Sequence, residues 1–227
     1  MLGTITNTIL VILGSTIGLF VKKGIPENIK NTILTGLGIF TCVLGIKMGI
    51  QMEKPVAIII SLIIGGVIGE LLNIELFVEQ IGEKFKKIKG FSESKTFAQG
   101  FVTASILFSI GPMTVLGCIQ DGLLHKPELL ITKSIMDGIS AIILSSTLGI
   151  GVLFSAVVVL LFQGSITILA SQINFLGTPY FLNDFTGIGG ILVFAIGIRL
   201  LGLKDIKVGN FLPALVIIIL FKLFIKI

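Results

Sequence analysis

Lys133 and Asp137 stand four residues apart in a largely apolar stretch, Leu129 to Leu148. That spacing puts an ammonium and a carboxylate on one helix face, one turn apart, where each can neutralise the other. An ionisable side chain in hydrocarbon costs about 3 kcal/mol or more unless it is paired or hydrated. The pair is therefore either a lock between helices or part of a polar site. Asp121 closes the preceding apolar run and joins them in one candidate cluster of Asp121, Lys133 and Asp137. Asp137, a turn deeper than Lys133, is the candidate carboxylate for coupling to a proton or a cation.

Ahead of the cluster runs Phe108-Ser109-Ile110-Gly111-Pro112-Met113-Thr114. Pro112 has no N–H and its ring crowds the preceding turn, so the segment is expected to kink or unwind. Backbone groups freed at membrane depth need partners: a side chain such as Ser109, a neighbouring helix, or a solute in a hydrated cavity. Ser109, Gly111, Pro112, Met113 and Thr114 are the candidate substrate-binding residues, with a plain structural kink as the competing reading. Glu70, Gln99, Gln163 and Asn210 are secondary polar candidates, and for Glu70 a solvated helix end is the simpler account.

Other chemistries find no residues to run on. The single histidine, His125, sits in a turn beside Lys126 and Pro127, so neither a Ser-His dyad nor a His-rich metal site can be assembled. There is no phosphate-binding glycine loop and no His-Glu-x-x-His. Cys42 and Cys118 lie in apolar runs and read as small buried side chains. Neither an enzyme nor a resident metal or cofactor is expected. The net charge of +5 comes from basic residues at helix ends, where lipid headgroups account for them, so nucleic acid is not an expected partner.

The elements that position these residues follow from composition. Of 227 residues 54% are apolar and only 13% charged, with mean hydropathy +1.10, which leaves too little polar surface for a water-soluble fold. The expected class is all-α, a polytopic membrane helix bundle in which the lipid bilayer is the main partner. Apolar segments place spans at about Leu2–Val21, Thr32–Ile50, Pro55–Leu72, Phe97–Ile119, Leu129–Leu148, Val152–Ser171, Phe185–Leu203 and Val208–Phe224. That makes eight, with seven as the alternative count. The fifth and sixth must fold back at Gly149-Ile150-Gly151, since one helix over Leu129 to Gln172 would reach about 66 Å, twice the bilayer core. Residues Ile74 to Lys89 alternate Ile74, Phe77, Val78, Ile81, Phe85 and Ile88 with Glu and Lys, the pattern of an amphipathic helix lying in the headgroups. No Lys or Arg precedes the first span and no small-residue cleavage site closes it, so it is expected to be retained. Eleven of the 17 Lys and Arg (Lys22, Lys23, Lys30, Lys84, Lys86, Lys87, Lys89, Lys95, Arg199, Lys204, Lys207) then fall on one side, which favours an N-terminus outside.

Gly38-Ile39-Phe40 and Gly45-Ile46-Lys47 in the second span match Gly190-Ile191-Leu192 and Gly197-Ile198-Arg199 in the seventh at a constant offset of 152. Gly14-Ser15 and Gly164-Ser165 match in the first and sixth. Spans one to three thus pair with six to eight, and five crossings between partners would invert one copy relative to the other. The chain then reads as a single membrane domain: repeat 1 over about 1–72, the interfacial helix over 74–90, a central pair over 97–148 and repeat 2 over 152–226. Gly14 with Gly18, Gly45 with Gly49 and Gly65 with Gly69 are Gly-x-x-x-Gly pairs suited to close helix packing.

Gly111-Pro112-Met113, Leu116-Gly117, Asp121-Gly122-Leu123, Lys133-Ser134, Asp137-Gly138, Gln163-Gly164, Gly189-Gly190 and Leu212-Pro213-Ala214-Leu215 together resemble the bacterial YqgA-like membrane proteins, the domain of unknown function 554 family. The resemblance covers the whole chain. It implies a bacterial inner-membrane protein and assigns no residue a catalytic role. The functional expectation is a small secondary transporter or permease, a homodimer, moving an unidentified solute or ion. The alternative is a non-transporting scaffold or regulator whose glycine-rich faces bind partner helices.

Overall fold

In the computed structural model, residues 1–22, 26–78, 80 and 95–224 are described. Among them all regular structure is helical and no strand occurs. The helices are α1 (Leu2–Lys22), α2 (Glu27–Gly49), α3 (Pro55–Leu71), α4 (Lys95–Ser109), α5 (Pro112–Leu123), α6 (Glu128–Leu148), α7 (Gly151–Ile168), α8 (Ala170–Ile173), α9 (Pro179–Leu200) and α10 (Pro213–Phe224), with 3-10 turns at Asn174–Gly177 and Val208–Phe211. Pro55, Pro112 and Pro179 open their helices, where the missing N–H costs nothing.

Five helices are long and apolar enough to cross a membrane, and the bent pair α4–α5 makes a sixth if taken as one span. The expected eight would also need the shorter apolar helices Pro55–Leu71 and Val208–Phe224. The chain is a multi-pass membrane protein. Several edges differ from expectation. The second helix starts at Glu27 rather than Thr32, because polar residues at the interface do not end a helix. The seventh starts at Pro179 rather than Phe185, because Asp184 is buried inside it with a partner. The sixth ends at Ile168 and the eighth opens as a 3-10 turn.

The chain forms two compact units, Met1–Lys30 with Glu79–Gly177, and Asn31–Val78 with Thr178–Ile227. In the first unit α1 runs parallel to α6: Gly3 packs on Leu130, Gly14 on Gly138 and Ala141, and the Ser145 hydroxyl donates to the Ser15 carbonyl at 2.9 Å. The α6–α7 hairpin turns at Gly149, whose φ of +81° favours glycine. It folds back far enough that Lys133 and Gln163 reach one carbonyl.

In the second unit α2 and α9 are antiparallel. A Cβ on Gly197 would lie 2.9 Å from the Gly38 carbonyl, and one on Gly45 would lie 2.7 Å from the Gly190 carbonyl. The repeated glycine pairs thus face each other. Antiparallel α3 and α10 meet at Gly65 and Ala214. The outer faces are apolar: Phe40, Val43 and Ile46 on α2, Ile59, Ile63 and Val67 on α3 are all exposed, as a lipid solvent requires.

Of the expected amphipathic helix, residues 74–78 are helical and 81–89 lie outside the described residues. Glu75, assigned above to the polar outer side, is in fact buried, while Phe77 is 62% exposed. A carboxylate turns inward when the surroundings offer hydrocarbon and the protein offers a cation.

Candidate functional site

The site is built at the break between α4 and α5. The last helical bond of α4 runs from the Ile110 N–H to the Ile106 carbonyl at 2.8 Å. Two residues later Pro112 has no N–H to give the Phe108 carbonyl, its partner four residues back. Gly111 is extended, at φ 163° and ψ 156°, and α5 leaves at 57° to α4. Gly111 is buried, and its carbonyl accepts the Thr114 and Val115 N–H groups at 3.1 and 3.2 Å.

The stranded Phe108 carbonyl is taken up from three directions. The Lys133 ammonium donates to it at 2.7 Å, the Thr114 hydroxyl at 3.3 Å and the Gln163 amide at 3.4 Å. Lys133 also pairs with the Asp137 carboxylate on the same face of α6, at the spacing read from the sequence. The Asn7 amide of α1 donates to the same carboxylate oxygen at 2.9 Å. Lys133 and Asp137 are 7% and 6% exposed, and Asn7, Thr114 and Gln163 are fully buried. Asp137 is the tenth residue of a 21-residue helix, close to its centre.

This polar centre is not closed. The Asn7 Oδ1, Gln163 Oε1, Ser109 Oγ and Ser105 Oγ atoms are buried and receive or make no hydrogen bond within the protein. A buried polar atom left unpaired costs about 1–3 kcal/mol, so four of them around one broken helix favour water or a solute there. Among the described residues no group of three or more His, Cys, Asp and Glu is placed to hold a metal ion.

Thr114, Lys133, Asp137 and Gln163 are thus brought together, with buried Ser109 at the end of α4, Gly111 in the break and half-buried Met113 on the first turn of α5. Asp121 goes elsewhere: its carboxylate accepts the Gly3 N–H at 3.0 Å and pairs with the Met1 amino group, at the start of α1. A carboxylate there meets the positive end of the helix dipole. Gln99 is half-buried nine residues before Phe108, about 13 Å along α4.

Glu70 and Asn210 belong to a second network, within the other unit. The Asn210 amide donates to Glu70 at 2.6 Å, and its Oδ1 accepts the Glu75 N–H at 2.8 Å. Glu75 accepts the Gly209 N–H at 2.8 Å and pairs with Arg199 at 2.5 Å, and Arg199 pairs onward with Asp205 at 2.8 Å. Arg199 is therefore a half-buried partner, whereas Lys47, its match in the sequence repeat, is exposed.

The sequence reading does not single out Asn7, Asp184 or Lys222, and it puts Glu75 on the solvent side of its helix. Lys222 is 4% exposed, pairs with fully buried Asp184, donates to the Tyr180 carbonyl and lies 4.2 Å from the Tyr180 ring centroid. Asp184 also accepts the Glu53 and Lys54 N–H groups at 2.7 and 3.0 Å, at the start of α3. The one signal for it was an acidic residue and a lysine inside otherwise apolar helices.

Comparisons with known proteins agree on the kind of molecule. The chain is 36% identical over 221 residues to "Uncharacterized membrane protein YdfK" of Bacillus subtilis (strain 168), covering 96% of this chain and 93% of that protein. It is 29% identical over 220 residues to "Uncharacterized protein YqgA" of Escherichia coli (strain K12), covering 95% and 94%. No solved structure gives a significant match. A family model described as "Protein of unknown function (DUF554)" matches residues 2–223, so the chain belongs to that family of membrane proteins.

Proposed function

We propose that this protein is a small secondary transporter or permease of the bacterial inner membrane, moving a small solute or ion at the α4–α5 break with Asp137 as the coupling carboxylate. One observation carries the reading. A broken helix presents its stranded carbonyl to a buried Lys–Asp pair, and the adjoining amide oxygens of Asn7 and Gln163 have no protein partner. Discontinuous helices with unwound backbone and half-helix ends are how transporters hold solutes and ions within a bilayer.

An inverted repeat fits this function. Each matched pair packs antiparallel, α2 on α9 and α3 on α10, and α1, parallel to α6, is antiparallel to α7. Eight crossings with the N-terminus outside complete the proposal. A homodimer would cover part of the apolar outer faces of so small a bundle. The scaffold alternative draws less support, because Gly14, Gly18, Gly45, Gly65 and Gly69 already lie against neighbours within the chain.

Uptake into proteoliposomes under a proton or sodium gradient tests the proposal. The parent is expected to accumulate a solute from a broad panel and Asp137→Asn to lose the gradient-driven part. A well-folded parent that moves nothing returns the protein to the scaffold reading.

A further inference from the structure

The Lys133 ammonium sits on an unusual set of partners. It contacts a backbone carbonyl stranded at a helix break and a buried carboxylate. Around these, two side-chain amide oxygens, Asn7 Oδ1 and Gln163 Oε1, are buried and unpartnered. Each amide is held to the site by its nitrogen: Asn7 donates to Asp137 and Gln163 to the Phe108 carbonyl. A stranded carbonyl, one carboxylate and neutral side-chain oxygens form a hard-oxygen, singly negative shell. That chemistry suits a monovalent cation rather than a divalent one, which draws more carboxylates.

We propose that this is a monovalent-cation site whose resident cation is the protein's own Lys133 ammonium. The lysine neutralises Asp137 and satisfies the Phe108 carbonyl as Na⁺ would, but it is tethered to α6. With its seat taken, the site does not recruit Na⁺. Removing the side chain while keeping Asp137 opens the site to a free cation.

Melting the full-length protein purified in detergent, in chloride salts of Na⁺, K⁺, NH₄⁺ or N-methylglucamine at one ionic strength, tests this. The parent should melt alike in all four. Lys133→Ala should gain about 4 °C in at least one small cation over N-methylglucamine, the shift given by a ligand at roughly ten times its Kd for a chain of this size. Lys133→Ala/Asp137→Asn should lose that gain. The inference is overturned if Lys133→Ala shows no such gain, including failure to fold in every salt. A parent equally stabilised by Na⁺, or a double variant that keeps the shift, overturns it too. The inference rests on reading the break as a site, not on transport. Cation binding by Lys133→Ala with no uptake by the parent would remove the transporter alone. Uptake by the parent with a cation-blind Lys133→Ala would remove this inference alone.

Discussion

Two buried Lys–Asp pairs occur among the described residues, and their surroundings separate them. Asp184 is held from two sides: one oxygen accepts the Glu53 and Lys54 N–H groups and the other faces the Lys222 ammonium. That is a fastening between α9, α10 and the start of α3. Removing one partner of such a pair strands the other and typically costs about 3–5 kcal/mol. Asp184→Asn and Lys222→Met should each destabilise by that order. The double variant should cost clearly less than their sum, read as a double-mutant cycle of melting temperatures. Beside Asp137 the neutral amide oxygens of Asn7 and Gln163 stand unpartnered and can take up the Lys133 ammonium. Asp137→Asn should therefore disturb uptake far more than folding.

At the level of elements, Pro112 decides where α4 stops. Pro112→Ala would return an N–H to the Phe108 carbonyl, in competition with Lys133 and Gln163. The expected result is an equal or higher melting temperature with uptake reduced about tenfold or more, the equivalent of about 1.4 kcal/mol at the barrier. Gly111→Ala should be nearly silent, since its extended φ suits any residue and nothing lies within 4 Å of an added Cβ. The helix seams behave differently. On Gly45 an added Cβ would sit 2.7 Å from the Gly190 carbonyl oxygen and the Phe194 Cα, and backbone cannot step aside cheaply. Gly45→Ala should cost about 1–3 kcal/mol. Gly36→Ala, with open space around it, should be neutral or slightly stabilising, and thermal melts of the two variants make the comparison.

For the whole molecule, the proposed orientation, with the N-terminus outside, has the α9–α10 connection in the cytoplasm. Asp205 lies there with its side chain 81% exposed. With Cys42 and Cys118 replaced by Ala, Asp205→Cys should resist a membrane-impermeant maleimide in intact spheroplasts and react after lysis. Labelling before lysis would reverse the topology. An apolar exterior with charged groups turned inward, as at Glu75 and Lys222, is what a hydrocarbon solvent selects.

Hydropathy is a sum over about 20 neighbouring residues, so the sequence by itself determined the membrane class, most helix positions, the fold-back at Gly149 and the break at Pro112. Lys133 with Asp137 was legible for the same reason, four residues apart on one helix. Only the tertiary structure decided that Asn7 reaches Asp137 across 130 positions, that Glu75 finds Arg199 across 124, and that Asp121 turns to the start of α1. It also decided that Lys222 lies inside. In lipid a polar side chain is placed by whichever partner the packing of distant helices delivers, and that choice leaves no local periodicity in the chain.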